Sequence, residues 1–290
     1  MKKGNDKNIL LAAGGTGGHL YGAESLASEL SLRGFNPFLF TDKRVGHLVK
    51  GLIQGNVKEI FSATFTNTSF YKWPFVVFKI LLGFMSSLIL IKKIKPKAVV
   101  GFGGYPTIPV IFAAKVCGLK IIVHEQNIIL GRANKLLIKL ADVMSLGFEN
   151  TVGVPKNYRK KVYFSGNPIR KDILKYQNPY QALTENDKFK LVIFGGSQGA
   201  SFFSKTIPPS LGMLSNKKKS FLKVFHQVRL EEVEHINNFY NSEGIDAEVS
   251  NFFYELPMLL NSSHLIISRS GASTVSEIST INRPAILIPL

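Results

Sequence analysis

Twice in this chain a short apolar run empties into a glycine-rich turn and then into a helical stretch. NILLAA, Asn8–Ala13, leads into GGTGGH, Gly14–His19, with a helix predicted over Gly22–Leu32. KLVIF, Lys190–Phe194, leads into GGSQGA, Gly195–Ala200, where a second helix begins. A strand buried on both faces reads as a continuous apolar run, and helices must then join and cover the strands. The pattern therefore constrains the chain to an α/β fold with parallel sheets, built as two units. A length of 290 residues fits two domains of ordinary size.

Further strands are predicted at Asn36–Thr41, Ala98–Gly101, Lys120–Val123, Val143–Leu146 and Lys161–Phe164, with helices at Ile108–Val116 and Arg132–Leu140. The second unit adds strands at Phe221–Phe225, Ala247–Val249, His264–Ser268 and Pro284–Leu290, and a polar stretch at Tyr176–Lys188. The boundary falls near GNPIR, Gly166–Arg170, dividing the chain into residues 1–165 and 166–290. The last predicted strand ends the sequence. In an α/β sheet the carboxyl end of a strand is where loops build the site. The second domain is thus expected to be incomplete.

Charge separates the halves. Residues 1–165 hold 23 basic and 8 acidic side chains, a balance of +15, whereas residues 166–290 hold 13 and 11, a balance of +2. A basic first domain suits an anionic surface or ligand. Hydrophobic residues make up 45% of the chain, enough to build cores and to exclude disorder as its main state. A single cysteine, Cys117, excludes an intramolecular disulfide framework and a cysteine-cluster metal site. The first apolar run breaks at Gly14-Gly15, too short for an export signal, which points to a cytoplasmic location.

Trp73–Ile91 is a 19-residue apolar stretch with one charge, Lys79, followed by Lys92, Lys93, Lys95 and Lys97. Its length would span a bilayer, but the strands on either side belong in one sheet. Two placements remain: a core helix packed on the sheet, or a partly exposed helix docked on an anionic membrane.

Neither glycine turn matches GxGxxG, although Asp42 at the end of the second strand leaves a dinucleotide reading open. No phosphate-binding GxxxxGK[ST] and no HExxH zinc motif exists, so no metal and no cofactor is expected. What remains is a pair of anion-binding turns suited to a nucleotide diphosphate on one domain and an acceptor on the other. His19 is placed to take a proton from an acceptor hydroxyl. Nucleic-acid binding ranks last, because the basic residues lie beside an apolar stretch rather than in a recognised nucleic-acid motif.

Six segments occur in order: GGTGGH at 14–19, GFGGYPT at 101–107, HEQN at 124–127, GNPIR at 166–170, GGSQGA at 195–200 and SRSGASTVSE at 268–277. Together they resemble the MurG family of bacterial N-acetylglucosaminyltransferases over essentially the whole chain. The resemblance implies a GT-B fold, two Rossmann-like parallel-sheet domains facing across a cleft. It implies inverting, metal-independent transfer of N-acetylglucosamine from UDP-GlcNAc to undecaprenyl-pyrophosphoryl-MurNAc-pentapeptide in peptidoglycan synthesis. The location implied is peripheral, on the cytoplasmic face of the inner membrane. His19 resembles the family's base. Thr16, Gly17, Gly18 and Asn127 match residues facing the donor sugar. Arg170 matches the arginine of GNPIR, and Ser197 matches the diphosphate serine. Phe253 falls where a backbone contact to uracil is expected. Ala272, Ser273, Thr274, Val275, Ser276 and Glu277 match the second nucleotide loop, with Glu277 on the ribose hydroxyls. The sequence departs from the family at Gly22, where proline is usual, and lacks a later glutamine loop that touches the donor sugar. A truncated remnant that folds or binds membrane without turnover is therefore the alternative expectation.

Overall fold

The computed structural model describes residues 7–15, 17–43, 56–63, 69–176, 178–180, 182–184, 187–196 and 201–289. Thr16 and Ser197, with most of the GGSQGA turn, lie outside them. The chain divides into two compact units, Met1–Arg170 and Lys171–Leu290. GNPIR closes the first.

The first unit is built on seven strands among the described residues. They are β1 (Asn8–Ala12), β2 (Asn36–Thr41), β3 (Val57–Glu59), β4 (Ala98–Gly101), β5 (Lys120–Glu125), β6 (Val143–Leu146) and β7 (Val162–Phe164). Their order is β3-β2-β1-β4-β5-β6-β7, every pair parallel. Helices α1 (Gly17–Leu32), α2 (Trp73–Ile94), α3 (Thr107–Val116) and α4 (Arg132–Leu137) alternate with them. Successive strand residues face opposite sides of a sheet. Leu10 therefore joins a core with Val99, Ile111 and Ile91, while Leu11 joins the other with Leu20, Ala23 and Phe102.

The second unit has five described strands, β8 (Phe189–Phe194), β9 (Leu222–Gln227), β10 (Asp246–Ser250), β11 (Leu265–Arg269) and β12 (Ala285–Ile288). They are ordered β10-β9-β8-β11-β12, again all parallel. Its helices are α5 (Lys171–Leu174), α6 (Ser201–Gly212), α7 (Asn216–Ser220), α8 (Val233–Ser242), α9 (Leu256–Ser262) and α10 (Ala272–Ile281). In each sheet the chain leaves the first strand in one direction and later crosses to its other side. A ligand crevice forms outside the strand carboxyl ends at such a switch point. GGTGGH, GFGGYPT and SRSGAS all sit at those ends.

Several element boundaries differ from the sequence reading, among them three in the first unit. α1 starts at Gly17 rather than Gly22, so Gly17, Gly18 and His19 form its first turn. β5 continues to Glu125 rather than stopping at Val123, because His124 and Glu125 are buried despite their polarity. α4 ends at Leu137 rather than Leu140. The short edge strand β3 carries no apolar run and was not anticipated.

Helix α2 buries only Val76, Gly83, Ser87 and Ile91, one stripe seven, eleven and fifteen residues from its start. Phe75, Phe78, Leu81, Met85 and Ile89 are exposed. The helix is long and apolar enough to cross a membrane. Its ends nevertheless lead to β3 and β4, which lie in one sheet, and its buried stripe packs on α3. At Gly83 the helix touches another segment so closely that a Cβ would lie 2.0 Å from the Phe61 carbonyl oxygen. Gly83→Ala is therefore expected to destabilise the fold by about 1–3 kcal/mol, despite alanine's higher helix propensity. Thermal denaturation checks this, and an unchanged or raised Tm would contradict the close seat.

The second core encloses a polar pair. His226 is fully buried, and its Nδ1 lies 2.9 Å from the Tyr240 hydroxyl. Its Nε2 has no partner among the described residues. Burial pushes the imidazole down to about 4 and the tyrosine up. An unfolded histidine takes up a proton near pH 6.5 while the folded one resists until about pH 4, so stability is full above 6.5 and falls between these values. The loss is expected to be on the order of 3 kcal/mol. Denaturant titrations at pH 7, 5.5 and 4.5 should show it, and His226→Gln should flatten the dependence.

Candidate active site

The first unit's site is assembled by glycines and one buried carboxylate. After β4 the chain turns through Gly103 and Gly104, with φ of +86° and +79°. Only glycine adopts such angles at no cost. At Gly104 a Cβ would stand 2.3 Å from the Gly14 carbonyl oxygen, so GFGGYPT lies directly against the first turn. The Thr107 hydroxyl donates to Gly103 O at 2.6 Å and pins this loop to the start of α3. A Cβ on Gly103 would meet the Asn134 amide at 3.2 Å and His19 Nε2 at 3.4 Å. The catalytic candidate, at the start of α1, is thereby brought to the ends of β4 and β5.

HEQN supplies the rest. Glu125 is 1% exposed and accepts four N–H bonds. Oε1 takes the Asn127 backbone N–H at 2.9 Å and its side-chain amide at 3.0 Å. Oε2 takes the Gly131 N–H at 2.8 Å and the Asn134 amide at 2.9 Å. Asn127, exposed at the end of β5, is thus tied to the same group that faces His19. Burial lowers the His19 imidazole below its ordinary value, and the Glu125 charge opposes that. His19 is consequently held neutral near pH 7, the form able to accept a proton.

His124, also buried, sits in a chain of polar contacts. Asn167 Oδ1 can only accept, so His124 Nε2 donates to it at 3.2 Å and Nδ1 accepts from the Ser145 hydroxyl at 3.0 Å. The Asn167 amide donates to Gln126 O at 3.1 Å, stitching GNPIR to HEQN. Burial lowers His124 as well, with the Asn167 bond and the Glu125 charge working the other way. Arg170 stacks on the Tyr21 ring, 5.0 Å from its centroid. At Gly22 a Cβ would lie 2.5 Å from Gln126 Nε2, so this departure from proline matches a close approach of α1 to HEQN.

In the second unit, β11 ends at Arg269 and Ser270-Gly271 lead into α10. Gly271 is extended (φ −68°, ψ 143°), and the first turn carries no acidic residue. The first bond within this helix runs from Val275 N–H to Gly271 O at 2.9 Å. The first turn of a helix is where backbone N–H groups can receive an anion. Ala272, Ser273, Thr274, Val275 and Ser276 are half-buried here, and Glu277 is buried in the second turn. The Ser276 hydroxyl is committed to Ala272 O at 2.9 Å. Phe253 follows β10, its ring edge-on to Phe225 at 6.3 Å.

The sequence candidates His19, Gly17, Gly18, Asn127 and Arg170 therefore occur in one unit, and Phe253 and Ala272–Glu277 in the other. Glu125, Asn134 and the His124–Asn167 contact went unassigned in the sequence reading. The signal available was the acidic residue inside HEQN, flanked by apolar strand residues that would bury it.

The chain matches the glycosyltransferase family 28 N-terminal domain over residues 9–145 and the family's C-terminal domain over residues 190–290. It is 41% identical over 289 residues to the UDP-N-acetylglucosamine--N-acetylmuramyl-(pentapeptide) pyrophosphoryl-undecaprenol N-acetylglucosamine transferase of Brucella abortus (strain S19), covering 98% of this chain and 75% of that protein. The crystal structure of Acinetobacter baumannii MurG superposes with a TM-score of 0.73 at 26% identity, over 98% of this chain and 79% of that one. UDP-GlcNAc 2-epimerase from Neisseria meningitidis, at 14% identity and a TM-score of 0.65 over 97% and 82% of the two chains, shares the fold. The chain has the GT-B fold of two parallel-sheet domains and belongs to glycosyltransferase family 28, within it to the MurG family.

Proposed function

We propose that the protein transfers N-acetylglucosamine from UDP-GlcNAc to undecaprenyl-pyrophosphoryl-MurNAc-pentapeptide, the step that builds the lipid-linked disaccharide of peptidoglycan. The observation that carries this reading is the placement of His19 and Asn127 around Glu125 at the carboxyl ends of β1, β4 and β5, in a chain 41% identical to a transferase named for that reaction. In the proposed step His19 removes the acceptor hydroxyl proton. The oxygen forms a bond to the anomeric carbon as the bond to the β-phosphate oxygen breaks, and UDP leaves. One displacement inverts the anomeric centre. Asn127, with Thr16, Gly17 and Gly18, holds the sugar. Ser197 and the start of α10 meet the diphosphate, Phe253 meets the base and Glu277 the ribose, while Arg170 lies at the end of the first unit. Backbone N–H groups supply the charge compensation for the leaving group, so the step needs no metal.

The same reading makes α2 the membrane contact, on the cytoplasmic face of the inner membrane. Its exposed Phe75, Phe78, Leu81 and Met85 form an apolar face. Lys79 covers the Phe75 ring at 4.5 Å, and Lys92, Lys93, Lys95 and Lys97 are exposed at its far end. Basic residues near an anionic surface contribute about 1 kcal/mol each. The Lys-rich first unit suits that surface and the acceptor pyrophosphate alike.

UDP-GlcNAc should bind, more tightly than UDP, in calorimetry, and UDP release should require the lipid acceptor. Binding of neither nucleotide would overturn the reading. His19→Ala is expected to lower kcat by about 10²–10⁴-fold with the KM for UDP-GlcNAc little changed. Equal losses in both would contradict a base role. Phe78→Asp and Leu81→Asp, both at exposed positions, should each weaken co-sedimentation with anionic vesicles by about tenfold or more. Unchanged binding would remove α2 from the membrane contact.

A further inference from the structure

We infer that Glu125 is a positioning residue for the transfer: its carboxylate clamps Asn127 toward the donor sugar and fixes Asn134 beside His19. The inference rests on the proposed reaction for its consequences, but its geometry stands apart from it. All four partners of Glu125 are N–H donors, so the group accepts at every contact and donates at none, the pattern of a carboxylate. With 1% exposure it has no open face toward a substrate, which excludes it as the base itself.

Each arm of the clamp holds something different. The Oε1 arm takes both the backbone and the side-chain N–H of Asn127, so the chain direction after β5 and the facing of that amide are set together. The Oε2 arm holds Gly131, the cap of α4, and Asn134 within its first turn. The Asn134 amide nitrogen also donates to His124 O at 3.1 Å. Both demands require the nitrogen on that side, which leaves Asn134 Oδ1 buried with no donor among the described residues. An amide tolerates such an orphaned oxygen only when the bonds on its nitrogen outweigh the loss. Here one of the two is charge-assisted by Glu125. The same amide and His19 Nε2 both border the point where a Gly103 Cβ would stand. Glu125 thus fixes an amide that borders the same point as the His19 ring. Among the described residues its charge favours the imidazolium, and the neighbouring His124 ring couples to His19. A proton taken from the acceptor would be received against a fixed negative charge.

Glu125→Gln keeps the shape but turns an N–H toward two of the four donors. Glu125→Asp keeps the charge but shortens the reach. The test compares both with wild type in two measurements. The first is the NMR titration of the His19 ring in ligand-free protein, assigned with a His19→Gln variant. The second is the kcat and KM for UDP-GlcNAc. The expected result for Glu125→Gln is a His19 midpoint lower by about half a pH unit or more, with a KM raised about tenfold. Glu125→Asp is expected to keep the midpoint and still raise the KM. Should the glutamine variant not fold, the aspartate variant carries the test through the same two numbers. A midpoint and KM both at wild-type values, or a fall in kcat alone with a lowered Tm, would overturn the inference. Wild-type protein that titrates as expected and yet does not transfer to the lipid acceptor would overturn the proposed function and leave the clamp standing.

Discussion

Everything functional in this molecule depends on strands that run the same way. A parallel sheet collects all its strand carboxyl ends on one edge and forces each connection to cross back over a face. In both sheets the first strand becomes the switch point, with β1 between β2 and β4 and β8 between β9 and β11. The loops leaving these ends can therefore approach one another without long excursions. GGTGGH leaves β1, GFGGYPT leaves β4 and HEQN ends β5, so three motifs distant in sequence meet because their strands are neighbours. The chemistry of the site is a consequence of connectivity before it is a consequence of any side chain.

Close approach then decides residue identity at the edge. Gly104 faces the Gly14 carbonyl and Gly103 faces Asn134 and His19. Positive φ acts at both positions, joined at Gly104 by the absence of space for a Cβ and at Gly103 by a tight contact. GFGGYPT was legible in the sequence as a motif, but not as the means of seating His19, because that contact joins residues 84 positions apart in the chain. The strands themselves were readable from continuous apolar runs, since burial on both faces leaves no polar alternation. Boundaries were less so. β5 extends through His124 and Glu125 because their polar atoms are satisfied by Ser145, Asn167, Asn127, Gly131 and Asn134. Local hydropathy carries no trace of partners brought in by folding. β3 escaped notice for a related reason: VKE at a sheet edge needs no apolar pattern to pair. The helical role of Gly17 and Gly18 was hidden by their poor intrinsic propensity.

Helix α2 shows what composition leaves open. A 19-residue apolar stretch with one charge is compatible with a membrane span, a core helix or a surface helix. Topology removes the first, because both ends feed one sheet. Exposure narrows the second to a single stripe, seated by Gly83 on the Phe61 carbonyl. Phe84, Leu88, Leu90 and Ile94 flank that stripe and pack partly against the core, while Phe75, Phe78, Leu81, Met85 and Ile89 remain exposed. A large exposed apolar face beside lysines is costly in water unless something covers it.

In the proposed reaction the site reconciles two opposing demands on His19. A base must be neutral before the reaction and must tolerate a proton during it. Burial serves the first and works against the second, since desolvation penalises the imidazolium. A nearby carboxylate serves the second, but a mobile or solvated one would be screened. Glu125 avoids both problems by being buried and held at four points. Its desolvation is offset by N–H donors that belong to the backbone and to two asparagines rather than to a cation. A lysine or arginine in their place would have satisfied the carboxylate and cancelled its field at His19. Among the described residues the hydrogen-bond donors to Glu125 are neutral N–H groups, which satisfy it and leave its field in place.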